Sequence, residues 1–494
     1  MWLPGRNNLS STTGKSEVTP FLPPLQASMD STEVDSDSEE SRSVKCSPAQ
    51  LYPTFAFLGV QMCWSVAYAY ITPILVTFNL NIETVGLVWC MSSLASCATV
   101  PLLSAASDFT QNSWGRRRPY MAMFLLVGGG GLLLLAYADR IGVWFGDIGG
   151  QQRNALSMAV MGLILSQVGL DGIQCMERGL CTDTLDADAL QGVNAFFALQ
   201  GSLGRVVGFG LGAANLGKAP GLSYLGDQIQ ILFLLSAFLL FLTTSTTLLT
   251  AREKRFIPQL YELFNASVTS SGKRALFGMK SLPKAVRLAA VSNLLAWSSF
   301  ALLFYYGSYF YGSFIFGGDP EDTRVIDSIY ERGVQSASFG FLLMAVVGSM
   351  MSLGLGFVTA KVGIKTMWVS TLAFAAATFL GFFFLRPGDR GAALALSACL
   401  GLPLAASYQC PWAIVTVAVR RSENSALYCS LFRSLSEVLP FALQGLIGSA
   451  LLSVFQGSAR SVFAAASVLM AAAAVHTYFF VLDVQDVEEY EEEI

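Results

Sequence analysis

Hydrophobic runs of about 20 residues recur along the chain, separated mostly by short polar connections. That is the length a helix needs to cross a bilayer. With no water in the hydrocarbon to satisfy backbone groups, such runs must form closed helices. The pattern predicts twelve spans, at 50–78, 84–105, 118–138, 155–177, 190–215, 227–250, 286–311, 334–358, 364–385, 391–417, 425–452 and 459–481. The connection 251–285 is the longest between spans and divides them six and six. The chain therefore reads as an all-α polytopic membrane protein. An N-terminal six-helix bundle is expected over 48–250 and a C-terminal one over 286–481, joined by a central loop over 251–285.

Residues 1–47 break the pattern. They are polar and rich in Ser and Asp/Glu, so they are expected to form a disordered acidic tail. They contain no apolar core of signal-peptide length, so the first span is expected to serve as its own insertion signal. Residues 482–494 form a second acidic tail. Lys and Arg settle the expected orientation. Arg252, Lys254, Arg255, Lys273, Arg274, Lys280 and Lys284 cluster around the central loop, on the same side as the N-terminus. The positive-inside rule then puts both termini in the cytosol. The sequons at Asn8 and Asn265 fall on that side and are expected to stay unglycosylated.

Composition strengthens this reading. The chain is 53% hydrophobic and only 13% charged, too apolar for a soluble protein of 494 residues. A net charge of −4 without a basic stripe leaves no nucleic-acid footprint. Eight of the nine cysteines lie in hydrophobic segments: Cys63, Cys90, Cys97, Cys175, Cys181, Cys399, Cys410 and Cys429. None has a partner at metal-ligand spacing, so they read as buried reduced thiols. His476 is the only histidine. No metal site, cofactor or catalytic constellation is expected, and the chain does not read as an enzyme.

Charges inside the spans are the candidate chemistry. Gln167 to Asp183 carries Asp171, Glu177, Arg178 and Asp183 in and just beyond span 4. An ionisable residue at the centre of a span costs about 2.5–3.5 kcal/mol even on a lenient scale, and such residues usually mark a substrate or ion path. Asp171 and Arg178 are two turns apart on one helix face. Arg205 lies in mid-span 5 and cannot shed its proton, so it needs an oxygen partner, and Asp171 is the expected one. Arg433 and Glu437, four apart in span 11, can pair within their helix or face the first cluster from the other half. Asp171, Arg205, Arg433 and Glu437 form the expected coupling set. The amides and the indole within spans, Gln61, Trp64, Gln167, Gln174, Asn293, Gln335 and Gln409, are of types that suit sugar hydroxyls and ring faces, and each individually also reads as a helix–helix hydrogen bond.

Two short turns recur at matching places in the halves. Trp114-Gly115-Arg116-Arg117-Arg118-Pro119 follows span 2, and Lys361-Val362-Gly363-Ile364-Lys365 follows span 8. Gly115, Arg116, Arg117 and Arg118 with Asp108 are expected to form a cytosolic gate. Gly204, Gly208 and Gly212 recur every four residues in span 5, a stripe for close helix packing. The run Gly128 to Gly131 lacks the Lys and Ser/Thr of a phosphate loop and reads as close packing or a bend.

Several of these motifs together resemble the plant sucrose/proton symporters and their animal solute-carrier relatives, within the major facilitator superfamily and near the glycoside–pentoside–hexuronide:cation symporters. The matching stretches are Gly59-Val60-Gln61-Met62-Cys63-Trp64 with Thr72-Pro73, Ser107-Asp108 ahead of Gly115-Arg116-Arg117-Arg118-Pro119, Gln174 with Arg178 and Asp183, and Asn194-Ala195-Phe196-Phe197 with Gly204 and Gly208. Tyr408, Pro411 and Trp412 add a thinner match in the second half. The resemblance implies a major facilitator fold with two bundles rocking about a central site. It also implies proton-coupled carriage of a sugar-like solute, with Gln61, Trp64, Gln167, Gln174 and Arg178 as the substrate-binding set, by a monomer in the lipid bilayer of the plasma membrane or an organelle. The chain departs from the pattern in three places. Gln167 stands at the family's span-4 aspartate, Arg205 stands where the plant proteins have Asn, and Arg433 and Glu437 have no counterpart. Asp171, one turn after Gln167, matches an acid in the animal relatives. An uncoupled carrier, a carrier of an anionic solute and a non-transporting sensor are the alternative readings.

Overall fold

The computed structural model describes residues 52–483, apart from 108–109, 148–151, 185–186, 215, 217–223, 225, 252, 254–281, 320–328, 420–424 and 456–457. The N-terminal tail, residues 484–494 of the second tail, Asn8, Asn265, Asp108 and most of the central loop lie outside the described residues.

Among the described residues every long element is a helix. In the first half these are α1 (Ala56–Thr77), α2 (Ile82–Ser107), α3 (Arg118–Ala136), the short α4 (Ala138–Trp144), α5 (Arg153–Thr184), α6 (Ala187–Ala213) and α7 (Gln228–Thr250). In the second half they are α8 (Lys284–Tyr309), α9 (Ile329–Val362), α10 (Ile364–Phe383), α11 (Arg390–Cys399), α12 (Gly401–Val419), α13 (Ser425–Arg433), α14 (Leu439–Val454) and α15 (Ala459–Phe480). Eleven stretches among the described residues are long and apolar enough to cross a membrane. The remaining long helix, α6, carries Arg205 and packs on α1 and α9.

The helix ends differ from the hydropathy pattern where charge and proline intervene. Hydropathy ends span 4 at residue 177, but α5 continues to Thr184 and keeps Arg178 and Asp183 on the same rod. The tenth span is broken at Leu400 into α11 and α12. The eleventh is interrupted by a π-helical turn, Ser434–Val438, where the N–H of Leu439 bonds the carbonyl of Ser434 five residues back. Pro440 follows and has no N–H to give. Such π turns are often found at functional sites.

Packing is set by small residues. A Cβ on Gly204 would stand 2.3 Å from the carbonyl oxygen of Leu58, and one on Gly208 2.6 Å from that of Met62, so the glycine stripe lets α6 lie against α1. In the four-glycine run, Gly128 and Gly131 abut α5 while Gly129 and Gly130 face open space. Large apolar side chains such as Leu126, Leu249 and Val468 stay exposed, which a bilayer covers and water does not.

The halves meet along α2–α14, α6–α9 and α1–α8. Near the end that carries Asn79, the Thr72 hydroxyl donates to the Tyr305 carbonyl at 2.8 Å and the Ser308 hydroxyl to that of Ala69 at 3.0 Å. There a Cβ on Gly86 would stand 2.1 Å from the Gly445 carbonyl oxygen, so the backbones of α2 and α14 touch.

Candidate functional site

A small cavity of about 40 Å³ lies between the halves. Gln61 and Trp64 reach it from α1, Gln167, Asp171 and Gln174 from α5, and Trp297 from α8. Tyr408 comes from α12, Arg433 from α13 and Glu437 from the π turn. Each is placed by helix periodicity: 167, 171 and 174 are three and four apart and share the α5 face turned to α2 and α13.

Asp171 is the hub. Its Oδ2 accepts from the Ser96 hydroxyl at 2.6 Å, and its Oδ1 accepts from Arg433 Nη2 at 2.7 Å. Both side chains are buried, so this ion pair bridges the halves out of water. Arg433 Nε lies 3.6 Å from Glu437 Oε2, and Glu437 Oε1 accepts from the Trp412 indole at 2.7 Å. One guanidinium thus stands between two carboxylates, one from each half.

This corrects the expected partnership of Asp171 with Arg205. Arg205 is on α6 and turns toward α1 instead. Its Nη1 donates to Gln61 Oε1 at 3.1 Å and its Nη2 to the Ser202 hydroxyl at 3.2 Å. Its guanidinium lies 4.6 Å from the centre of the Tyr408 ring. Arg433 reaches Asp171 from across the seam, which the sequence spacing of the two residues does not reveal. The pairing of Arg433 with Glu437 agrees with their four-residue spacing.

Gln167 is held firmly by α2. Its carbonyl oxygen accepts from Ser92 at 2.6 Å and its amide donates to Ser93 at 3.0 Å. Gln174 lines the cavity with a buried amide nitrogen that has no partner. Arg178 sits among Phe57, Phe197 and Trp412, with its guanidinium 4.2 Å from the Trp412 ring centre. Glu177 is turned away to accept the backbone N–H of Phe57 at 3.0 Å.

Aromatic rings make the apolar wall. Tyr68 stacks on Trp64, with centroids 5.3 Å apart, and on Phe304, at 4.3 Å. Trp297 meets Tyr408 edge-on at 4.9 Å. Amides and charges opposite ring faces suit a polyhydroxylated solute, whose hydroxyls take hydrogen bonds and whose C–H faces lie on rings.

The predicted gate residues gather at the other end of α5. Arg116 and Arg117 both bind Asp183, with Arg116 Nε at 2.8 Å and Arg117 Nε at 3.1 Å from its Oδ2. Their backbone N–H groups donate to Glu253, at 2.9 Å and 3.1 Å. Arg118 bonds the Leu248 carbonyl. Gly115 has φ +107° to make this turn. Asp108, expected in the set, lies outside the described residues. The partners named here belong to the first half or, in Glu253, to the start of the central connection, so the turn ties α3 to the end of α5 and to the chain leaving α7.

The major facilitator superfamily model matches residues 54–443. The chain belongs to the major facilitator superfamily. It is similar to the sucrose transport protein SUT3 of Oryza sativa subsp. indica, 24% identical over 452 residues, covering 84% of this chain and 89% of that one. It is also similar to the membrane-associated transporter protein of Homo sapiens, 24% identical over 426 residues, covering 75% and 79%. Among solved structures, a D-xylose-proton symporter shares the fold with a TM-score of 0.59 at 12% identity, over 89% of this chain and 98% of that one. The nucleoside transporter NupG does so with a TM-score of 0.56 at 16% identity, over 87% and 98%. As a member of this superfamily the chain is a multi-pass membrane transporter, not an enzyme.

In this superfamily member, sequence reasoning overlooked several residues of the site. Ser92, Ser93 and Ser96 hold Gln167 and Asp171, and their clustering in one span was the available signal. Tyr68 and Trp297 read only as apolar. Glu253 sits in the central connection, and nothing in the sequence marks it. Asn293 donates to Ser436 at 3.1 Å, the interhelical bond its type suggests. Gln335 and Gln409 are not among the cavity-lining residues.

Proposed function

We propose that the chain is a proton-coupled sugar carrier working by alternating access. Both termini are cytosolic, and a single copy in the bilayer of the plasma membrane or an organelle suffices. The observation that carries this reading is the buried Asp171–Arg433 pair, which joins the two halves beside a cavity of amides and rings. The similarity to sucrose transport proteins points the same way.

The cycle follows from the contacts. The N-terminal bundle, 48–250, and the C-terminal bundle, 286–481, move about the cavity, joined by the 251–285 loop. The Thr72–Tyr305, Ser308–Ala69 and Gly86–Gly445 contacts close the end away from the cytosol. A proton on Asp171 cancels its charge, so Arg433 falls back on Glu437, 3.6 Å away, and the halves are released from each other. Ser96 still holds the neutral carboxyl. Gln167, amide rather than acid and already bonded twice, cannot take the proton, so Asp171 carries the coupling alone. Gln61, Trp64, Gln167, Gln174 and Arg178 face or flank the solute, and the Arg116–Asp183 and Arg117–Asp183 pairs set the cytosolic end of α5.

Uptake into proteoliposomes with and without an inward proton gradient tests this. Wild-type sugar uptake is expected to rise with the gradient, and Asp171→Asn is expected to exchange sugar without responding to it. If neither protein responds, the coupling role of Asp171 is wrong.

A further inference from the structure

Three residues that line the cavity keep a buried N–H donor with no hydrogen-bond partner among the described residues. These donors are Gln174 Nε2 on α5, Trp297 Nε1 on α8 and Arg433 Nη1 on α13. Each residue is more than nine-tenths buried. A buried donor left unpaired is costly, so each calls for an acceptor. The carboxylates of the cavity are turned to other donors. Asp171 serves Ser96 and Arg433 Nη2, and Glu437 serves the Trp412 indole and stands 3.6 Å from Arg433 Nε. The nitrogens of Arg433 are thus in three different situations. Nη2 bonds Asp171 at 2.7 Å, Nε faces Glu437, and Nη1 is unused.

Size adds the second step. A cavity of about 40 Å³ has room for water but not for a sugar, so it has to widen before a solute is held there. The Asp171–Arg433 pair links α5 to α13 at this point and has to break for the halves to part. Its loss frees Nη2 beside Nη1, while Glu437 stays near the guanidinium. Gln174 then stands on the first half, and Arg433 and Trp297 on the second. A solute that accepts from both sides replaces the ion pair as the link between the halves.

We propose that Arg433 is a solute-binding residue as well as the partner of Asp171, and that with Gln174 and Trp297 it forms a donor set that grips the solute's oxygens from both halves. This rests on the sugar-carrier reading above and goes beyond it, because proton and solute act on one side chain. Asp171 must give up Arg433 before the solute takes both Nη groups, so the ionised, empty carrier stays latched. Two Nη groups side by side match a pair of neighbouring hydroxyl oxygens, which the single nitrogen of lysine does not.

The test uses the full chain in proteoliposomes, with sucrose and glucose as probes. Asp171→Asn removes the ion pair, and its sugar exchange is the reference. Adding Arg433→Lys keeps a cation near Glu437 but removes the paired nitrogens. The KM of exchange is expected to rise about tenfold or more, as loss of a hydrogen bond from a charged group does. A residue that only partners Asp171 has no task left in this background. An unchanged KM therefore overturns the proposal and leaves the sugar-carrier reading standing. Trp297→Phe keeps a ring and loses the N–H. In otherwise wild-type protein it is expected to raise KM about threefold while uptake still responds to the proton gradient. If either Asp171 variant is inactive or unfolded, Trp297→Phe and Gln174→Leu decide alone, and an unchanged KM in both overturns the donor set. Carriage of neither sugar by the wild type overturns this proposal and the sugar-carrier reading together.

Discussion

The turn after α2 and the turn after α9 each place a glycine at positive φ, Gly115 at +107° and Gly363 at +88°, beside cations. In the first, Arg116 and Arg117 are fastened to Asp183 and Glu253. In the second, Lys361 is exposed, Lys365 is half-buried, and neither forms an ion pair among the described residues. The same backbone device therefore serves two ends. In the first half it clamps α5, the helix that carries Asp171. In the second half it only reverses the chain. The helix that answers Asp171 is α13, which passes into a π turn. The carboxylate of the pair stands on a fixed rod and the guanidinium beside an irregular segment, so we propose that Arg433 is the partner that moves when the pair breaks.

The largest effect expected from this contrast is at Asp183. Asp183→Asn strips the charge that holds both Arg116 and the buried Arg117. Breaking a buried pair from one side costs about 3–5 kcal/mol, and partial exposure here brings the figure to the lower end. Thermal unfolding in detergent should show a clear fall for Asp183→Asn and little change for Lys365→Ala, a surface substitution worth within about 0.5 kcal/mol. Equal losses at both positions would mean that the turns do the same work.

Gly115→Ala comes next. It forces a side chain into the left-handed region, at about 1–2 kcal/mol, and its Cβ would stand 2.2 Å from Glu253 Oε2. Gly363→Ala meets the same backbone cost, but the nearest atom, Asp483 Oδ2, is 3.3 Å away. The first substitution should therefore lower the melting temperature further than the second. The reverse order would remove Glu253 from the clamp.

Much of this arrangement can be read from residues alone, and what cannot has a physical cause. Apolar length gives the helices, because every backbone group in hydrocarbon must be bonded within its own segment. The stripe Gly204, Gly208 names the α6–α1 contact, since only a missing side chain allows that approach. Asp171 stands out because its cost in lipid demands a use. Its partner does not, because Arg433 is 262 positions away and chosen by tertiary geometry. Arg205 looked equally eligible by type and depth, and only the packing of α6 against α1 sends it elsewhere. Glu253 is invisible for a similar reason: an acid in a polar connection has no local pattern to betray it.

The smallest expected effect concerns the π turn. Pro440 offers no N–H to the carbonyl of Ser436, so a regular helix cannot pass through this point with its bonds complete. The wider turn lets the Leu439 N–H reach Ser434 instead, and the same Ser434 carbonyl faces the Cys97 thiol of α2 at 3.7 Å. Pro440→Ala supplies the missing donor and lets this part of α13–α14 tighten toward ordinary helical register. Stability should change by less than about 1 kcal/mol, because one bond is gained where ring packing is lost. Arg433 and Glu437 would turn relative to α5, lengthening the Asp171 contact. Uptake under a proton gradient should fall by a few-fold while uptake without the gradient falls less. If both fall together, the π turn serves packing alone, and Arg433 is held as firmly as Asp171.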